Sequence, residues 1–357
     1  MKILKIKINN SIISNHSKTY FIADIAANHD GSLKRAKKLI RLAAESGANA
    51  AKFQNFYAET IVSDYGFKRL NKIKTHQSNW KKNVYDVYKD AETPLNWTSE
   101  LKKTCKENSI DYFTAPYDIK MIKYLNQYVS AWKIGSGDIT WHDSILKMAK
   151  TKKPVIIATG ASTANEVDLI VKKVGKINKK IVLMQCNTNY TASDQNFKNI
   201  NLEVINFYKK KYPNIILGLS DHTYGSETVI GAVTLGVRVV EKHFTDSNKR
   251  SGPDHLFSMN PKTWREMVLS CRRIEAALGD GIKKIENNEQ QSSVVQRRAI
   301  RANKLIKKGE IIKKKDLVNL RPWPKNSLSP YEYKKILNKK AKKDINFHEI
   351  INLSNIK

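Results

Sequence analysis

Short apolar runs recur along most of the chain and alternate with amphipathic stretches. The first run, Phe21–Ala26, is interrupted by one carboxylate, Asp24, and leads into the turn Asn28-His29-Asp30-Gly31. Ser32 is a residue that commonly caps helix N-termini, and Gly47 is typical of a position just beyond a helix C-terminus. The pattern therefore predicts a buried strand followed by a helix.

The same unit is repeated after this point. A second apolar run, Ala50–Phe56, carries Lys52 and Gln54 and precedes a long polar insertion from about Tyr57 to Asp90. Six further buried-type strands are predicted at Asp111–Tyr117, Ala131–Gly137, Val155–Gly160, Ile181–Asn187, Ile215–His222 and Val237–Phe244. Helices are predicted between strands, for example at Trp97–Asn108 and Asn165–Val174. Eight successive strand–helix units favour an α/β fold, a closed (β/α)8 TIM barrel, over an open sheet.

Nearly every predicted strand ends in polar residues that an apolar core would not select. These residues are Asp24, Lys52, Gln54, Thr114, Lys133, Ser136, Thr159, Asn187, Tyr190, His222 and His243. Any one of these residues, taken singly, is best interpreted as a buried polar side chain that has a hydrogen-bond partner. In a barrel, however, the carboxyl ends of all strands meet on one face, where active sites lie. The whole set therefore predicts a site on that face.

The end of the chain has a different character. A predicted helix around Lys262–Leu278 is followed by a polar segment, Gly279–Ser293, that is typical of a linker. In the tail, the segment Lys304–Ile312 is echoed by Lys343–Ile351 at an offset of 39 residues. We therefore predict three parts: a barrel domain at residues 1–280, a linker at 281–294 and a small, internally duplicated β domain at 295–357.

Composition restricts the class of protein but does not identify a function. The 357 residues are 41% hydrophobic and 27% charged, which is typical of a globular chain. The 64 Lys and Arg against 33 Asp and Glu give a formal charge of +31. Such a charge suits a nucleic-acid or anionic-membrane binder. Because the lysines are spread over all predicted elements, we favour a general compositional bias and expect no specific nucleic acid and no membrane.

Cysteine usage and the N-terminus point to a compartment. Cys105, Cys186 and Cys271 lie far apart, which suggests a reducing environment and excludes a zinc ribbon. The N-terminal stretch Met1–Lys7 alternates charged and apolar residues without a hydrophobic signal core. No apolar run approaches the ~20 residues that a membrane span needs. We therefore expect a soluble, cytoplasmic protein.

Two histidines are candidate metal ligands. His222 and His243 end neighbouring predicted strands, which would place both imidazoles on one rim of the barrel. Two neutral imidazoles with open positions suit a divalent metal acting as a Lewis acid. A pair of hydrogen-bonded rim histidines is an equally good interpretation, and spacing does not separate the two.

The same rim carries a set of cationic and hydroxyl side chains. Lys52 and Lys133, together with Ser136, Thr114 and Asn187, could hold phosphate and carboxylate oxygens. A rim lysine could instead form a Schiff base, as in aldolases.

Three carboxylates are candidates for acid–base work or for binding sugar hydroxyls: Asp24, Asp138 and Asp254. Asp254 follows a Gly-Pro pair, so a purely turn-forming role is an alternative there.

These motifs together resemble those of the sialic acid synthase family, which makes N-acetylneuraminate and related nonulosonic acids. The resemblance extends from about Phe21 to Ile356. The markers are Asn28–Gly31, Lys52–Gln54, Phe113–Pro116, Lys133–Asp138, Ala158–Gly160, Gly218–Thr223, Glu241–Asp246 and Gly252–Asp254. The tail is similar to the SAF (antifreeze-like) domain of such enzymes, with Arg321-Pro322 at the expected place.

The resemblance implies a reaction and a set of roles. Phosphoenolpyruvate would condense with an N-acylated amino-sugar aldehyde, typically N-acetylmannosamine, to give a nine-carbon sialic acid and phosphate by C–O cleavage. By resemblance, the residues that hold phosphoenolpyruvate are Lys52, Thr114, Lys133, Ser136 and Tyr190, with Asn187 beside them. His222 and His243 correspond to manganese ligands, although Mg²⁺ or Co²⁺ could serve. Gln54, Asp254 and Arg321 correspond to sugar-binding residues, with Arg321 supplied by the partner in a domain-swapped homodimer.

The chain also departs from the family pattern. Asp24 and Asp138 stand where glutamate is usual, and the resemblance makes Asp138 the general base, with Asp24 as the other candidate. Ala158 replaces a common serine, and Thr188 replaces an asparagine. In the tail, His348 corresponds to Gly309. These changes concern donor binding and the identity of the accepting sugar.

Alternatives of other kinds follow from the same residues. A legionaminic or pseudaminic acid synthase would keep the chemistry but accept a deoxygenated di-N-acyl sugar. A Schiff-base aldolase would use a rim lysine covalently. A non-catalytic basic barrel would bind nucleic acid or another polyanion, but the tail lacks the aromatic ladders such binding uses.

Overall fold

The structure is a computed structural model that describes residues 4–70, 77 and 80–357. The chain divides into two compact units, Met1–Gly279 and Asp280–Lys357. Among the described residues, no helix is both long and apolar enough to cross a bilayer.

The first unit begins with a hairpin that the sequence analysis did not assign. Strands β1 (Lys5–Ile8) and β2 (Ser11–Ser14) pair in antiparallel fashion. Their buried side chains Ile6, Ile8 and Ile13 pack into a core with residues from the barrel interior. The alternation of lysine and isoleucine in β1 is the period-2 pattern of a half-buried strand.

Eight parallel strands follow and form the barrel. They are β3 (Tyr20–Asp24), β4 (Ala50–Asn55), β5 (Asp111–Pro116), β6 (Trp132–Ile134), β7 (Val155–Ala158), β8 (Ile181–Cys186), β9 (Ile216–Asp221) and β10 (Val239–His243). The hydrogen-bonded order is β5-β4-β3-β10-β9-β8-β7-β6, so the first strand of the barrel pairs with the last. Neighbours in chain order are neighbours in space. Strands β5 and β6 also contact each other, but among the described residues they form no hydrogen-bonded ladder. The predicted (β/α)8 barrel is confirmed.

Helices alternate with the strands. Those of the first unit are α1 (Leu33–Glu45), α2 (Ala58–Ile61), α3 (Asp64–Arg69), α4 (Val84–Asp90), α5 (Thr98–Glu107), α6 (Met121–Leu125), α7 (His142–Lys150), α8 (Ala164–Ile177), α9 (Glu203–Lys211), α10 (Glu227–Thr234) and α11 (Pro261–Ala277). Short 3-10 helices lie at Ala26–His29, Leu95–Trp97, Ser136–Asp138 and Asp194–Asn199.

Helix α1 illustrates how the sequence fixes these elements. The Ser32 side chain accepts a hydrogen bond from the backbone N–H of Arg35, as the capping prediction required. The buried stripe Ala36, Leu39, Ile40 and Ala43 packs into the main core. Gly47, just beyond the helix, has a φ of +96°, a conformation that side chains with a Cβ rarely adopt.

The polar insertion after β4 is partly helical. Helices α2, α3 and α4 lie within it, and residues 71–76, 78 and 79 fall outside the described part of the chain.

The second unit contains α12 (Gln290–Val295) and the antiparallel strands β11 (Ala299–Ala302) and β12 (Leu317–Leu320). It also has 3-10 helices at Asn287–Glu289, Lys314–Asp316 and Pro330–Lys335. The segment predicted as a linker, residues 281–294, contains the 3-10 helix Asn287–Glu289 and most of α12. These helices are exposed, so polar composition alone did not reveal them.

The 39-residue echo appears in the hydrogen bonds of this unit. Ile306 and Ile345 exchange two backbone hydrogen bonds, N–H to C=O in each direction. Gly309 donates to the carbonyl of Ala341, and His348 donates to that of Ala302. These contacts are related by the 39-residue offset. Position 309 corresponds to 348 and position 341 to 302, so the bond from Gly309 to Ala341 is the counterpart of the bond from His348 to Ala302. The contact between Ile306 and Ile345 is its own counterpart. The two halves of the duplication therefore pair with each other around an approximate two-fold axis.

Candidate functional site

A pocket of about 350 Å³ lies at the carboxyl ends of the barrel strands. Ten of the residues predicted from the sequence line it: Asp24, Lys52, Gln54, Lys133, Ser136, Asp138, Tyr190, His222, His243 and Asp254. They come from six barrel strands or the loops that follow them. The barrel therefore brings together side chains that are far apart in the sequence.

Four residues predicted for the site do not line this pocket: Thr114, Thr159, Asn187 and Arg321. The Thr159 hydroxyl donates to the carbonyl of Met184 at 2.9 Å. The Thr114 hydroxyl donates to the Asn55 side chain at 2.7 Å and is fully buried between two strands. The Asn187 amide donates to the carbonyl of Asn199 at 3.1 Å, and its own carbonyl contacts His222. Arg321 belongs to the second unit.

The floor of the pocket is a group of four buried charged residues, Asp24, Lys52, Lys133 and Glu241, here called the inner cluster. The Lys52 ammonium lies 2.7 Å from Asp24 and 3.1 Å from Glu241. The Lys133 ammonium lies 3.1 Å from the same oxygen of Glu241. Each of these side chains is at most 4% exposed. Buried charges of this kind are stable only when they are paired.

The pKa values in the inner cluster follow from burial and pairing. Burial alone would raise the pKa of Glu241, but Lys133 and Lys52 lower it to about 2. Burial would lower the pKa of Lys52, but Asp24 and Glu241 raise it above its usual value. For Lys133, burial dominates over the attraction of Glu241 and lowers the pKa. Burial likewise raises the pKa of Asp24, although Lys52 partly opposes this.

Glu241 is a site residue that the sequence analysis named only as part of a motif. It lies two residues before His243 in β10, so both side chains face the same side of the strand. Ser220 holds the equivalent position two residues before His222, and its hydroxyl donates to Glu241 at 3.1 Å. Both residues line the pocket. The period of a strand was therefore a sufficient signal to find them.

The two histidines lie side by side, with ring centroids 5.3 Å apart. Nδ1 of His222 is 2.8 Å from the carbonyl of Asn187, which fits an N–H donor at Nδ1. In the neutral form of this ring, Nε2 then carries the lone pair. Nδ1 of His243 is buried without a hydrogen-bond partner among the described residues. Burial lowers the pKa of His243 to about 3, so this ring is neutral at physiological pH.

Carboxylates approach His243 from two sides. Nε2 lies 3.6 Å from Asp24, and Nδ1 lies 3.7 Å from Asp254. Within the described part of the chain, no three His, Cys, Asp or Glu side chains are arranged to enclose a metal ion. Burial would lower the pKa of His222, but Cys186, whose sulfur lies 3.9 Å from Nδ1, and the Asn187 carbonyl raise it above its usual value. Imidazole nitrogens are common ligands of divalent metals, and a metal bound at His222 would compete with a proton.

Asp138 is a carboxylate of a different kind. It ends the 3-10 helix Ser136–Asp138 that follows β6. Burial raises its pKa to about 6. A carboxylate poised in this range can accept a proton near neutral pH. Beside it, the Ser136 hydroxyl accepts a hydrogen bond from the backbone N–H of Gly160 at 3.0 Å.

The insertion after β4 supplies a wall of the pocket that the sequence analysis did not predict. Most of its lining side chains are apolar or aromatic: Phe56, Ile61, Trp80, Val87, Tyr88 and Ala91. The polar Gln77 also lines it and hydrogen-bonds to Tyr88. The Phe56 and Tyr88 rings pack at a centroid distance of 5.6 Å. Burial and the negative charge of Asp254 raise the pKa of Tyr88, so this wall is close to Asp254.

A second buried ion pair lies directly beside the pocket residues in sequence but faces away from them. Asp221 and Lys242, here called the outer pair, are 2.6 Å apart and 1% exposed. Asp221 also accepts hydrogen bonds from Thr223 and from Thr228 of α10. Lys242 also donates to the carbonyl of Thr223. Since side chains alternate along a strand, the outer pair packs toward the helices while the histidines enter the barrel.

Comparison with known proteins supports a single family. Residues 39–283 match the model of the NeuB family. The chain is 35% identical to an N,N'-diacetyllegionaminic acid synthase of Campylobacter jejuni, over 94% of this chain and 99% of that protein. It is 33% identical to a pseudaminic acid synthase of the same species, over 95% of this chain and 97% of that protein.

A solved structure agrees with these sequence matches. A crystal structure of N-acetylneuraminic acid (sialic acid) synthetase from Leptospira borgpetersenii superimposes with a TM-score of 0.70 at 28% identity. The match covers 81% of this chain and 95% of the other. The chain belongs to the NeuB family, the sialic acid synthase family that its motifs resemble.

Proposed function

We propose that the protein condenses phosphoenolpyruvate with an N-acylated amino-sugar aldehyde to give a nonulosonic acid and phosphate. The observation that carries this proposal is a pocket in which two buried lysines, two neighbouring imidazoles and a carboxylate of raised pKa share one space. The names of the relatives, synthases of legionaminic and pseudaminic acids, support the same class of product.

Lys52, Lys133 and Ser136 are proposed to hold the phosphoenolpyruvate. Its phosphate and carboxylate are anions, and ammonium and hydroxyl donors at the end of a narrow pocket suit them. Tyr190 packs against His222 at a centroid distance of 4.4 Å and would flank the same substrate. Thr114 contributes indirectly, because its hydroxyl is bonded to Asn55 within the barrel wall.

A divalent cation, with Mn²⁺ favoured, is proposed to bind at His222 and His243. The fit rests on the unpartnered buried Nδ1 of His243 and on the Asn187 contact that orients His222. When bound, the ion would polarise the aldehyde oxygen of the acceptor sugar. With two histidines as protein ligands, positions remain for oxygen atoms of the substrate or of water.

Gln54 and Asp254 are proposed to orient the acceptor sugar, and Asp138 to act as the general base. The C3 carbon of phosphoenolpyruvate attacks the aldehyde carbon, and the aldehyde oxygen takes up a proton as it becomes a hydroxyl group. C2 is left as an oxocarbenium carbon. Asp138 takes a proton from the water that adds to this carbon. The new C2 hydroxyl group then loses its proton and becomes the keto oxygen. The bond from C2 to the phosphate oxygen breaks at the same time, and phosphate leaves with that electron pair. Phosphoenolpyruvate, sugar and water thus balance the keto acid and phosphate.

The acceptor could be N-acetylmannosamine or a deoxygenated di-N-acyl sugar, and the apolar wall favours the second. The side chains of Phe56, Ile61 and Val87 offer no hydrogen-bond partner, and the Tyr88 hydroxyl already interacts with Gln77. A methyl at C6 and an N-acyl group would be buried favourably there, whereas a hydroxymethyl group would lose hydrogen bonds to water. Legionaminic or pseudaminic precursors have those features.

Product mass spectrometry identifies the sugar. The protein is incubated with Mn²⁺, phosphoenolpyruvate and, separately, N-acetylmannosamine or each of two 2,4-diacetamido-2,4,6-trideoxyhexoses. We expect phosphate release and a nine-carbon keto acid with one of the trideoxy sugars. Product from N-acetylmannosamine alone would overturn the assignment of the wall. Borohydride trapping of substrate on a lysine, without phosphate release, would instead indicate an aldolase.

Metal dependence tests the histidines. His222→Ala and His243→Ala should each abolish Mn²⁺-dependent turnover and weaken Mn²⁺ binding measured by electron paramagnetic resonance. Their melting temperatures in metal-free buffer should stay close to that of the wild type. Full turnover of the wild type in the presence of a chelator would contradict the metal site.

We further propose a homodimer in which Arg321 of one chain completes the sugar site of the other. Mixed dimers of an Arg321→Ala chain and a His243→Ala chain should regain activity, because one composite site is then intact. Absence of any regained activity in verified mixed dimers would contradict this arrangement.

A further inference from the structure

We propose that Glu241 makes the binding of phosphoenolpyruvate depend on the metal ion. Its carboxylate neutralises the lysines that would attract the substrate, so tight binding requires an additional positive charge at His222 and His243. This inference rests on the proposed function, because it assumes both the anionic substrate and the cation.

The charges of the inner cluster cancel when the pocket is empty. Lys52 and Lys133 bring two positive charges, and Asp24 and Glu241 bring two negative charges, all in contact. A neutral set gives little net attraction for a multiply charged anion, even though ammonium donors are present. A divalent cation beside the cluster would restore a net positive pocket.

The geometry places Glu241 at the centre of this balance. One of its oxygens lies 3.1 Å from Lys52, from Lys133 and from the Ser220 hydroxyl. The other oxygen is buried and has no hydrogen-bond partner among the described residues. An unpartnered carboxylate oxygen beside the pocket costs free energy and repels an incoming phosphate or carboxylate group.

A simpler role for Glu241 would be to hold the two lysines in place. The two roles predict opposite results for Glu241→Gln. Glutamine has nearly the same size and keeps a carbonyl oxygen that can accept from the lysines, but it carries no charge. If Glu241 only positions the lysines, the variant should bind phosphoenolpyruvate equally well or more weakly. If its charge opposes the substrate, the variant should bind more tightly.

Isothermal titration calorimetry with phosphoenolpyruvate, in EDTA and in Mn²⁺, separates these cases. In wild type, Mn²⁺ should strengthen binding substantially. In Glu241→Gln, the Kd in EDTA should fall on the order of tenfold or more, as expected for removing one charge a few ångströms from an anion. The ratio of the Kd in EDTA to the Kd in Mn²⁺ should therefore be smaller in the variant than in the wild type. An unchanged or weaker affinity in EDTA, or a wild type indifferent to Mn²⁺, would overturn the proposal.

Asp221→Asn is the matched control. It also replaces a buried, lysine-paired carboxylate near the end of a neighbouring strand, but that carboxylate faces the helices rather than the pocket. The affinity for phosphoenolpyruvate should change by less than about threefold in either buffer, while the melting temperature falls. If Asp221→Asn increased the affinity for phosphoenolpyruvate as much as Glu241→Gln, the effect would not depend on a carboxylate that faces the pocket. That result would contradict the proposal.

Inorganic phosphate serves as a second probe that does not depend on the assigned substrate. If neither the wild type nor the variant binds phosphoenolpyruvate, the proposed function fails. Tighter phosphate binding by Glu241→Gln in EDTA would then still show that Glu241 opposes anions. Phosphate binding that is unchanged by the substitution would reject the charge role itself.

Discussion

The inner cluster and the outer pair are made of the same residue types in neighbouring positions of the same barrel, yet their hydrogen bonding differs. In the outer pair, both oxygens of Asp221 have partners, and the Lys242 ammonium contacts Asp221 and the carbonyl of Thr223. In and beside the inner cluster, one oxygen of Glu241 and Nδ1 of His243 are buried without partners among the described residues.

We infer from this difference that the outer pair serves the fold and that the inner cluster serves the proposed site. Consecutive residues of a strand face opposite sides, so Lys242 points toward α10 while Glu241 and His243 point into the barrel. A satisfied buried pair fixes neighbouring elements in place. Unpartnered atoms in a pocket are costly unless a ligand supplies the missing contacts. We infer that the pocket is completed by its ligands.

Replacing an aspartate by asparagine should therefore lower turnover in the pocket and lower stability in the outer pair. The largest effect is expected in the pocket. Asp138→Asn removes the proposed base with almost no change in size, and kcat should fall by ~10²–10⁴. At neutral pH the melting temperature should not fall, because the raised pKa shows that the charged form is disfavoured by burial.

Steady-state kinetics and thermal melts on the same Asp138→Asn preparation check this prediction. Asp221→Asn, which alters the outer pair, is the control and should show the reverse pattern. If turnover were unchanged in Asp138→Asn, this position would be structural, and Asp24 would be the next candidate for the base.

Loss of one partner of the outer pair should affect stability. Lys242→Met leaves Asp221 buried and unpaired, so the free energy of unfolding should fall by about 3–5 kcal/mol, as measured by urea denaturation. In the same variant, kcat/KM at low temperature should stay within about threefold of wild type. The double variant Asp221→Asn/Lys242→Met should recover part of the stability. A large loss of kcat/KM in a folded single variant would break the distinction between the two regions.

A smaller effect is expected from pH. Because Asp138 must be deprotonated to accept a proton and its pKa is raised to about 6, kcat should decline below about pH 6. The decline should approach tenfold per pH unit once the acid is mostly protonated. Assays at saturating Mn²⁺ separate the effect of Asp138 protonation on kcat from loss of the metal. Circular dichroism at each pH separates it from unfolding. Asp138→Asn should lack this step, and a step that persists in the variant would assign it to another group.

The smallest expected effect comes from restoring a hydroxyl to the pocket. Ala158 lines the pocket, and the resemblance to the family pattern predicts a serine at this position. Ala158→Ser should lower the KM for phosphoenolpyruvate by about two- to tenfold, the range of one net hydrogen bond. Ala158→Gly, which adds no donor, should not lower it. Equal KM values for all three forms would show that the hydroxyl does not reach the substrate.

Much of the fold could be predicted from the chain because the barrel strands are continuous apolar runs. The predicted strand Ile181–Asn187, for example, differs from β8 by one residue. The hairpin of β1 and β2 was missed because its two strands have four residues each. Their burial depends on the barrel interior against which they pack. Helix α12 was missed for the opposite reason, since its exposed polar side chains show no apolar periodicity.

The site was predicted less completely than the fold. Residues at strand ends could be expected on one rim, and eight of the eleven predicted there line the pocket, together with Asp138 and Asp254. The sequence could not show that the Thr114 hydroxyl is bonded to Asn55, because that contact depends on the register of β4 and β5. The wall formed by the insertion after β4 could not be predicted either, because the sequence of this insertion is mostly polar and is typical of a loop.

The sequence by itself determined the family, the order of strands and helices, and the polar residues at the strand ends. These properties depend on local periodicity and on ordered motifs, which the chain carries directly. Only the tertiary structure decided which charged side chains pair with each other. Lys52 and Glu241 are 189 residues apart but in contact, and Lys242, next to Glu241, pairs with Asp221 on the other side of the strand. Pairing and pKa depend on distances of a few ångströms and on burial, and only the closed barrel sets both.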